Sequence, residues 1–375
     1  MRNRYLLQQL VLFLILSTIL WITSVWCMHY ASVLTLEVLH SKPHANGWTS
    51  WIYELYPRLQ TEKWRFNENF FISKTKQVLI RSTLSLQLLA GLYLFRSYIA
   101  LPLRTTYYKL VHVYISRKYL SIITLLLYTC LLLVVYNAIM EFKDLVFFSP
   151  FYKPIGIARL LLPTFPSMSI LWLIYILLMG SIIAVILLPK KWIAASIAAI
   201  AFIYYQLILF GFGKYDHGYS TLTYALLIYP FFLWEAGKSK ESIIPAWSIV
   251  LIQWMICLAY FYCGLEKIFT SGIYWFYSDN LQQHLLIHDT SLGLKLAAYS
   301  TVCKILSLGV LLLQLSFILL PFQKRLAYLL LPAGFIFHSA SWLLLDAGGI
   351  FNPWWGVYLF FLFPLLSQET KSDPV

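Results

Sequence analysis

The sequence predicts an all-α protein, a polytopic transmembrane helical bundle of about ten spans (9–10). Three observations carry that expectation. First, 60% of the 375 residues are hydrophobic and only 11% are charged, with a mean hydropathy of +0.73; soluble domains carry about 25% charged residues. A soluble chain of this composition would have too little polar surface to cover its exterior. Second, the apolar residues gather in runs of about 20, the length a helix needs to cross a hydrocarbon core. The runs lack the two-residue alternation of barrel strands, so the backbone has to pair within helices. Third, short basic loops separate the runs, as orientation signals do.

The first run, at about 6–28, follows Met1-Arg2-Asn3-Arg4 and is too long for the apolar core of a signal peptide. Trp26 and Cys27 leave no small-x-small cleavage pattern at its end, so a retained first helix is expected. Further spans are expected at about 78–95, 119–140, 168–188, 192–211, 219–235, 246–266, 296–320, 326–345 and 350–366. Arg81 and Gln87 interrupt the second of them. The segment Leu145–Pro163 is broken by Pro150, Pro154 and Pro163 and reads as a loop or re-entrant element. One helical domain is expected over 1–367, followed by a polar, disordered tail at 368–375.

The net charge of +13 does not point to nucleic acid, because no contiguous basic face with interleaved aromatics is present. Arg2, Arg4, Arg96, Arg104, Lys109, Arg117, Lys118, Lys190, Lys191, Lys238, Lys240, Lys324, Arg325 and Lys371 fall on one side if the spans alternate from an inner N-terminus. The positive-inside rule then makes both termini cytoplasmic, in the plasma membrane if the cell is bacterial. The 14 Trp and 27 Tyr suit interfacial belts. Cys27, Cys130, Cys257, Cys263 and Cys303 form no CxxC pair and read as small apolar residues.

That topology gathers Asp216, His217, Lys267, His284, His288, Asp289, Asp346 and Asn352 at the outer mouth, with His338 about 10 Å below it. Polar side chains are costly in a bundle and are candidates for function by default. Lys267 near the end of an apolar helix has two fates. It snorkels to the headgroups, or it is held among apolar neighbours as a base or nucleophile; Glu266 adds the alternative of an ion-pair neighbour. His217 follows Gly211 and Gly213 in a short loop and reads either as a solvated residue or as part of the mouth. His338, near Ser339 and Ser341, reads either as a hydrogen bond between helices or as part of a site. No metal is expected from these histidines, since no HExxH motif is present. Gly211-Phe-Gly213 is too short for a nucleotide fingerprint.

Three ordered stretches resemble the membrane domain of vitamin K-dependent γ-carboxylase and its bacterial relatives, the HTTM (horizontally transferred transmembrane) family. Tyr260-Phe261, Gly264, Lys267 and Trp275, followed by His284, resemble the segment around that family's catalytic lysine. Asp216-His217-Gly218-Tyr219 resembles its Asn-His-x-Tyr loop, and Phe337-His338 its Phe-His helix. The resemblance covers 210–365 well and the first 200 residues loosely. It implies that Lys267 is the base that deprotonates a reduced quinone. Addition of O2 would give an alkoxide able to remove a carbon-bound proton before CO2 is captured. It also implies that His217 supports that step, and that His338, Asp216, Tyr219, Gly264, Trp275 and His284 border the quinone. The chain departs from the pattern at Glu266, Asp216 and Ser341, where the family carries Lys, Asn and Asn. It ends at Val375 without the lumenal module that grips protein substrates, so carboxylation of protein glutamates is not expected. The expected function is a quinol-dependent carboxylase or epoxidase. The rivals are a non-catalytic transporter or assembly partner, favoured by half-helices at mid-membrane, and a DoxX-like quinone-linked oxidoreductase. The expected partners are the lipid bilayer and a quinone.

Orientation is testable directly. In intact cells Asp216→Cys should react with an impermeant thiol reagent and Ser239→Cys only after lysis; labelling of position 239 alone from outside would reverse the topology.

Overall fold

The computed structural model describes residues 2–41, 47–56, 59, 63–65, 67–95, 113–188, 191–212, 218–238, 242–349 and 351–362. The described chain is almost wholly helical, as the run lengths predict, and it packs as two compact units.

The first unit comprises 1–109, 151–165 and 210–213. Its frame is α1 (Arg2–His40) and α3 (Glu68–Leu94), with the short α2 (Trp48–Leu55) between them in sequence. Helix α1 runs well past the expected end at residue 28, because neither Gly nor Pro occurs before Pro43. Its last carbonyls are capped by side chains: Tyr53 Oη donates to Val38 O at 2.6 Å and Lys63 Nζ to Leu39 O at 2.5 Å. Asn67 accepts from Phe70 N at 2.9 Å to start α3, and Glu68 in the first turn suits the helix dipole.

The two long helices run antiparallel and are joined by a ladder of polar pairs. Trp21 Nε1 donates to Gln87 Oε1 at 3.3 Å, Thr83 Oγ1 to Ser24 Oγ at 2.8 Å, Thr35 and Thr75 share a 3.2 Å bond, and His40 meets Glu68 at 2.5 Å. The side chains that interrupt the apolar run at 78–95 are thus partly spent on the partner helix. Elsewhere in this unit, Tyr152, Phe165 and Phe212 form an edge-to-face triad with centroids 5.3–5.6 Å apart. Burial pushes the Tyr152 hydroxyl up to about 12. Gly211 admits this packing, since a Cβ there would fall 1.9 Å from the Tyr152 ring, and its carbonyl accepts from Lys153 N at 2.8 Å. Gly211 therefore has a packing reason.

The second unit comprises 110–150, 166–209 and 214–375. It opens with β1 (Tyr114–Ser116) and continues through α4 (Arg117–Val135) and α5 (Ala138–Phe147). A 3-10 turn at Ser149–Phe151 and the short α6 (Ile157–Leu161), which belongs to the first unit, make up the proline-broken segment, in keeping with its reading as an irregular element. Then follow α7 (Met168–Leu187), α8 (Trp192–Phe210), α9 (Ser220–Lys238), β2 (Ile243–Pro245) and α10 (Trp247–Ser271). The short α11 (Tyr274–Tyr277), α12 (Asn280–His288) and α13 (Ser291–Ala297) lead to α14 (Ser300–Ser316), α15 (Ala327–Leu345) and α16 (Pro353–Tyr358).

Among the described residues, seven helical segments are long and apolar enough to cross a membrane, at Leu7–His40, Tyr119–Phe147, Met168–Leu187, Trp192–Phe210, Trp247–Ser271, Ser300–Leu319 and Ala327–Leu345. The expected spans at 78–95, 219–235 and 350–366 are not among them. Lys74, Lys76 and Arg81 make α3 more polar, and Glu235 and Lys238 do so for α9. The last expected span is described only as α16 and a 3-10 turn at Leu359–Phe361.

Sequence patterning gave no sign of strands, yet β1 and β2 pair antiparallel, with Tyr114 opposite Pro245 and Ser116 opposite Ile243. Ala246 N donates to Val113 O and Arg117 N to Ser242 O, both at 2.8 Å, so the ladder ties the start of α4 to the start of α10. Three-residue strands carry too little pattern to be read.

Gly211→Val should lower the melting temperature in detergent by several degrees, and Tyr152→Ala in the same chain should recover part of that loss by opening the space. Equal stability of Gly211→Val and wild type by scanning fluorimetry would show that the close approach carries no energy.

Candidate functional site

One face of α10 organises the second unit. Gln253, Cys257, Tyr260, Gly264 and Lys267 recur at alternating intervals of four and three, which aligns them along one side of a helix. The first four are buried and Lys267 is half-buried. This is a stripe with an inward polar edge on an apolar helix, and each polar member needs a partner.

At its inner end, Gln253 Nε2 donates to Phe360 O at 2.8 Å, beyond α16. Two turns on, Tyr260 lies at the centre of a buried aromatic cluster. Its hydroxyl bonds His338 Nε2 of α15 at 2.7 Å and also the Tyr358 hydroxyl of α16. Its ring stacks on Phe317 with centroids 3.9 Å apart and planes 10° apart. His338 in turn stacks on Trp354 at 5.0 Å and 14°.

The chain beyond α15 is shaped to supply that indole. Asp346, Gly348 and Gly349 take positive φ, turning the backbone back toward the bundle. Gly348 also leaves room for Asn352, whose Nδ2 would lie 2.5 Å from a Cβ there. Asn352 Oδ1 accepts from Trp354 N at 3.0 Å, and Pro353 occupies the first helical position of α16. Gly334 on α15 admits the Tyr358 hydroxyl, which a Cβ would approach to 2.5 Å.

Gly264 sits where α10 crosses α14, and a Cβ there would meet Leu315 at 3.0 Å and Gln314 at 3.3 Å. That position is a close helix contact. Lys267 lies seven residues beyond Tyr260, about 10 Å along the axis. Its Nζ donates to Cys263 O at 3.3 Å and lies 5.0 Å from the Trp275 ring centroid. The Trp275 Nε1 is buried and meets no acceptor among the described residues.

The residues expected to form one mouth are therefore distributed. Lys267 and Trp275 are together, and His338 joins Tyr260 two turns away along the same face. Tyr219 stands before α9, its ring 6.3 Å from Phe202 of α8. His284 is exposed on α12, one turn from His288, and among the described residues no group of three or more His, Cys, Asp or Glu could hold a metal. Asp216 and His217 lie outside the described residues.

The sequence marks His338 as conspicuous but assigns no role to Tyr260, Tyr358, Trp354 or Phe317. The four-three spacing along α10 was the available signal for Tyr260, whereas the partners from α15 and α16 carry none. No family model, curated protein or solved structure matches the chain.

Tyr260→Phe keeps the stack on Phe317 and removes the hydroxyl, leaving His338 Nε2 and Tyr358 Oη without it. The expected cost is about 1–2 kcal/mol. A double-mutant cycle with His338→Leu, read by thermal unfolding in detergent, should give a coupling well above the uncertainty of the measurement. Strict additivity would show that the bond carries no energy.

Proposed function

We propose that the chain is an integral membrane protein of the γ-carboxylase-like kind, acting on a reduced quinone at its outer mouth with Lys267 as the base. The observation that carries this reading is the pairing of Lys267 with Trp275. A lysine amine stands beside an indole whose buried N–H has no described acceptor. An amine that can accept a proton and a donor awaiting an oxygen fit a hydroquinone, which offers a phenolic hydrogen and a second ring oxygen within an aromatic frame. The quinol would supply the electrons for reducing O2. Lys267 would take the proton, Trp275 Nε1 would orient the opposite oxygen, and the Tyr260–His338 cluster would hold α10 and α15 in register beneath them. Asp216 and His217 complete the mouth in this reading.

The ten-span topology belongs to the same proposal, and the β1–β2 ladder supports it. Because the ladder joins the starts of α4 and α10, an even number of crossings has to separate them. The crossings α4, α7 and α8 make three, and α9 supplies the fourth. Polar residues on α9 then serve the interior, as when Tyr229 pairs with Thr124 at 2.7 Å. With that parity Tyr219, the end of α10 and the end of α15 would share one membrane face. Thr290 Oγ1 donating to Leu344 O at 2.8 Å joins the segment after α12 to that same end of α15.

Purified protein supplied with a reduced naphthoquinone and oxygen should form the quinone epoxide, detected by mass spectrometry. Lys267→Ala should abolish it and Lys267→Arg should not rescue it, because guanidinium does not act as a base near neutral pH. Trp275→Phe should raise KM about fivefold, the worth of one hydrogen bond, with little change in kcat. Turnover unaffected by Lys267→Ala would refute the assignment.

A further inference from the structure

A groove of about 450 Å³ opens between α8 and α9, away from Lys267 and His338. Trp192, Ala199 and Ile200 form one wall and Leu227, Phe231 and Trp234 the other. Local sequence explains why the helices stay apart here. Ser196 and Ala199 are too small to fill the gap, and Pro230 removes one helical hydrogen bond from α9. The Ser196 hydroxyl is returned to its own helix, donating to Trp192 O at 3.0 Å, so the lining is effectively apolar. Ile200 is 55% and Phe231 53% exposed, so the groove opens sideways rather than into the bundle.

Its dimensions and its ends identify the occupant. From Trp192 to Ile200 is eight residues, about 12 Å of helix, close to the ~15 Å hydrocarbon depth of one leaflet. The indoles of Trp192 and Trp234 stand at one end, as interfacial tryptophans do. Lys191 precedes Trp192 directly, and Lys238 holds its ammonium 3.2 Å from the Trp234 ring centroid. Neither lysine forms an ion pair with a described residue. An apolar channel one leaflet deep, topped by indoles and by two cations without an ion-pair partner among the described residues, matches an acyl chain below an anionic headgroup. A second copy docking symmetrically would instead bring two more lysines to the same end.

We propose that this groove holds one acyl chain of an anionic phospholipid, with the headgroup phosphate between Lys191 and Lys238. Native mass spectrometry of the detergent-purified full chain, titrated with phosphatidylglycerol and with phosphatidylcholine of identical acyl chains, tests it. Wild type should retain phosphatidylglycerol at least tenfold better. Lys191→Gln and Lys238→Gln should each lower that retention about fivefold while lowering that of phosphatidylcholine, whose choline already offsets its phosphate, much less. Ser196→Phe, which fills the groove, should reduce binding of both lipids, and Ile193→Phe, which does not line it, should reduce neither. Equal retention of the two lipids by wild type, or a preference unmoved by both lysine variants, overturns the proposal. So does a dimer that Ser196→Phe splits, which would make a second copy the occupant. Should Ser196→Phe fail to fold, the lysine variants still decide.

Discussion

The Tyr260 hydroxyl has to satisfy two partners at once in a place water does not reach. It bonds His338 from α15 and Tyr358 from α16, while its ring is clamped against Phe317. Helix α10 is thereby fixed at one point to α15 and α16, which lie far along the chain from it, and no polar member of the set can leave without stranding a buried polar atom. Much of the surrounding chain answers to this demand: the Gly334 cleft for Tyr358, the glycine turn after α15, and Asn352 seating Trp354 on His338. The register of α10 set here also determines where Lys267 emerges, two turns further along.

The same constraint recurs through the molecule. In a chain this apolar, burial against apolar neighbours discriminates poorly between one helix arrangement and another, and hydrogen bonds between helices carry more of the specificity. The antiparallel pair α1 and α3 is joined by a polar ladder from Trp21–Gln87 to His40–Glu68. Within the second unit, the Tyr205 hydroxyl is held by Glu141, Thr124 pairs with Tyr229, and Gln253 reaches Phe360 O. Residues that look like interruptions of a hydrophobic run are in several cases the contacts that choose its partner.

Two different chemistries follow from two different kinds of edge. Along the α10 stripe Gln253 and Tyr260 are paired, whereas at the Lys267–Trp275 level an indole N–H is left over; the proposed proton transfer would use that remainder. On the outside of α8 and α9 the lining is apolar and the charges gather at one end, an arrangement suited to holding a lipid rather than transforming one.

The helical class and the approximate placement of most long helices are legible in the chain's composition and run lengths, because a hydrophobic run of about 20 residues has few other ways to pair its backbone. The sequence also marked Lys267 and His338, since a cation or an imidazole in such a run is conspicuous. It did not reveal the β1–β2 ladder, whose strands are shorter than any readable period, nor the continuation of α1 to His40. That His338 belongs with Tyr260 and Tyr358, that Gly264 and Gly211 admit close neighbours, and that His284 stands exposed emerge from packing alone. Each of these depends on which surfaces of separate helices meet, at sequence separations of 78 residues for Tyr260–His338 and 98 for Tyr260–Tyr358. Periodicity reports the inward face of a single helix; the atoms that face it come from elsewhere in the chain and leave no local trace.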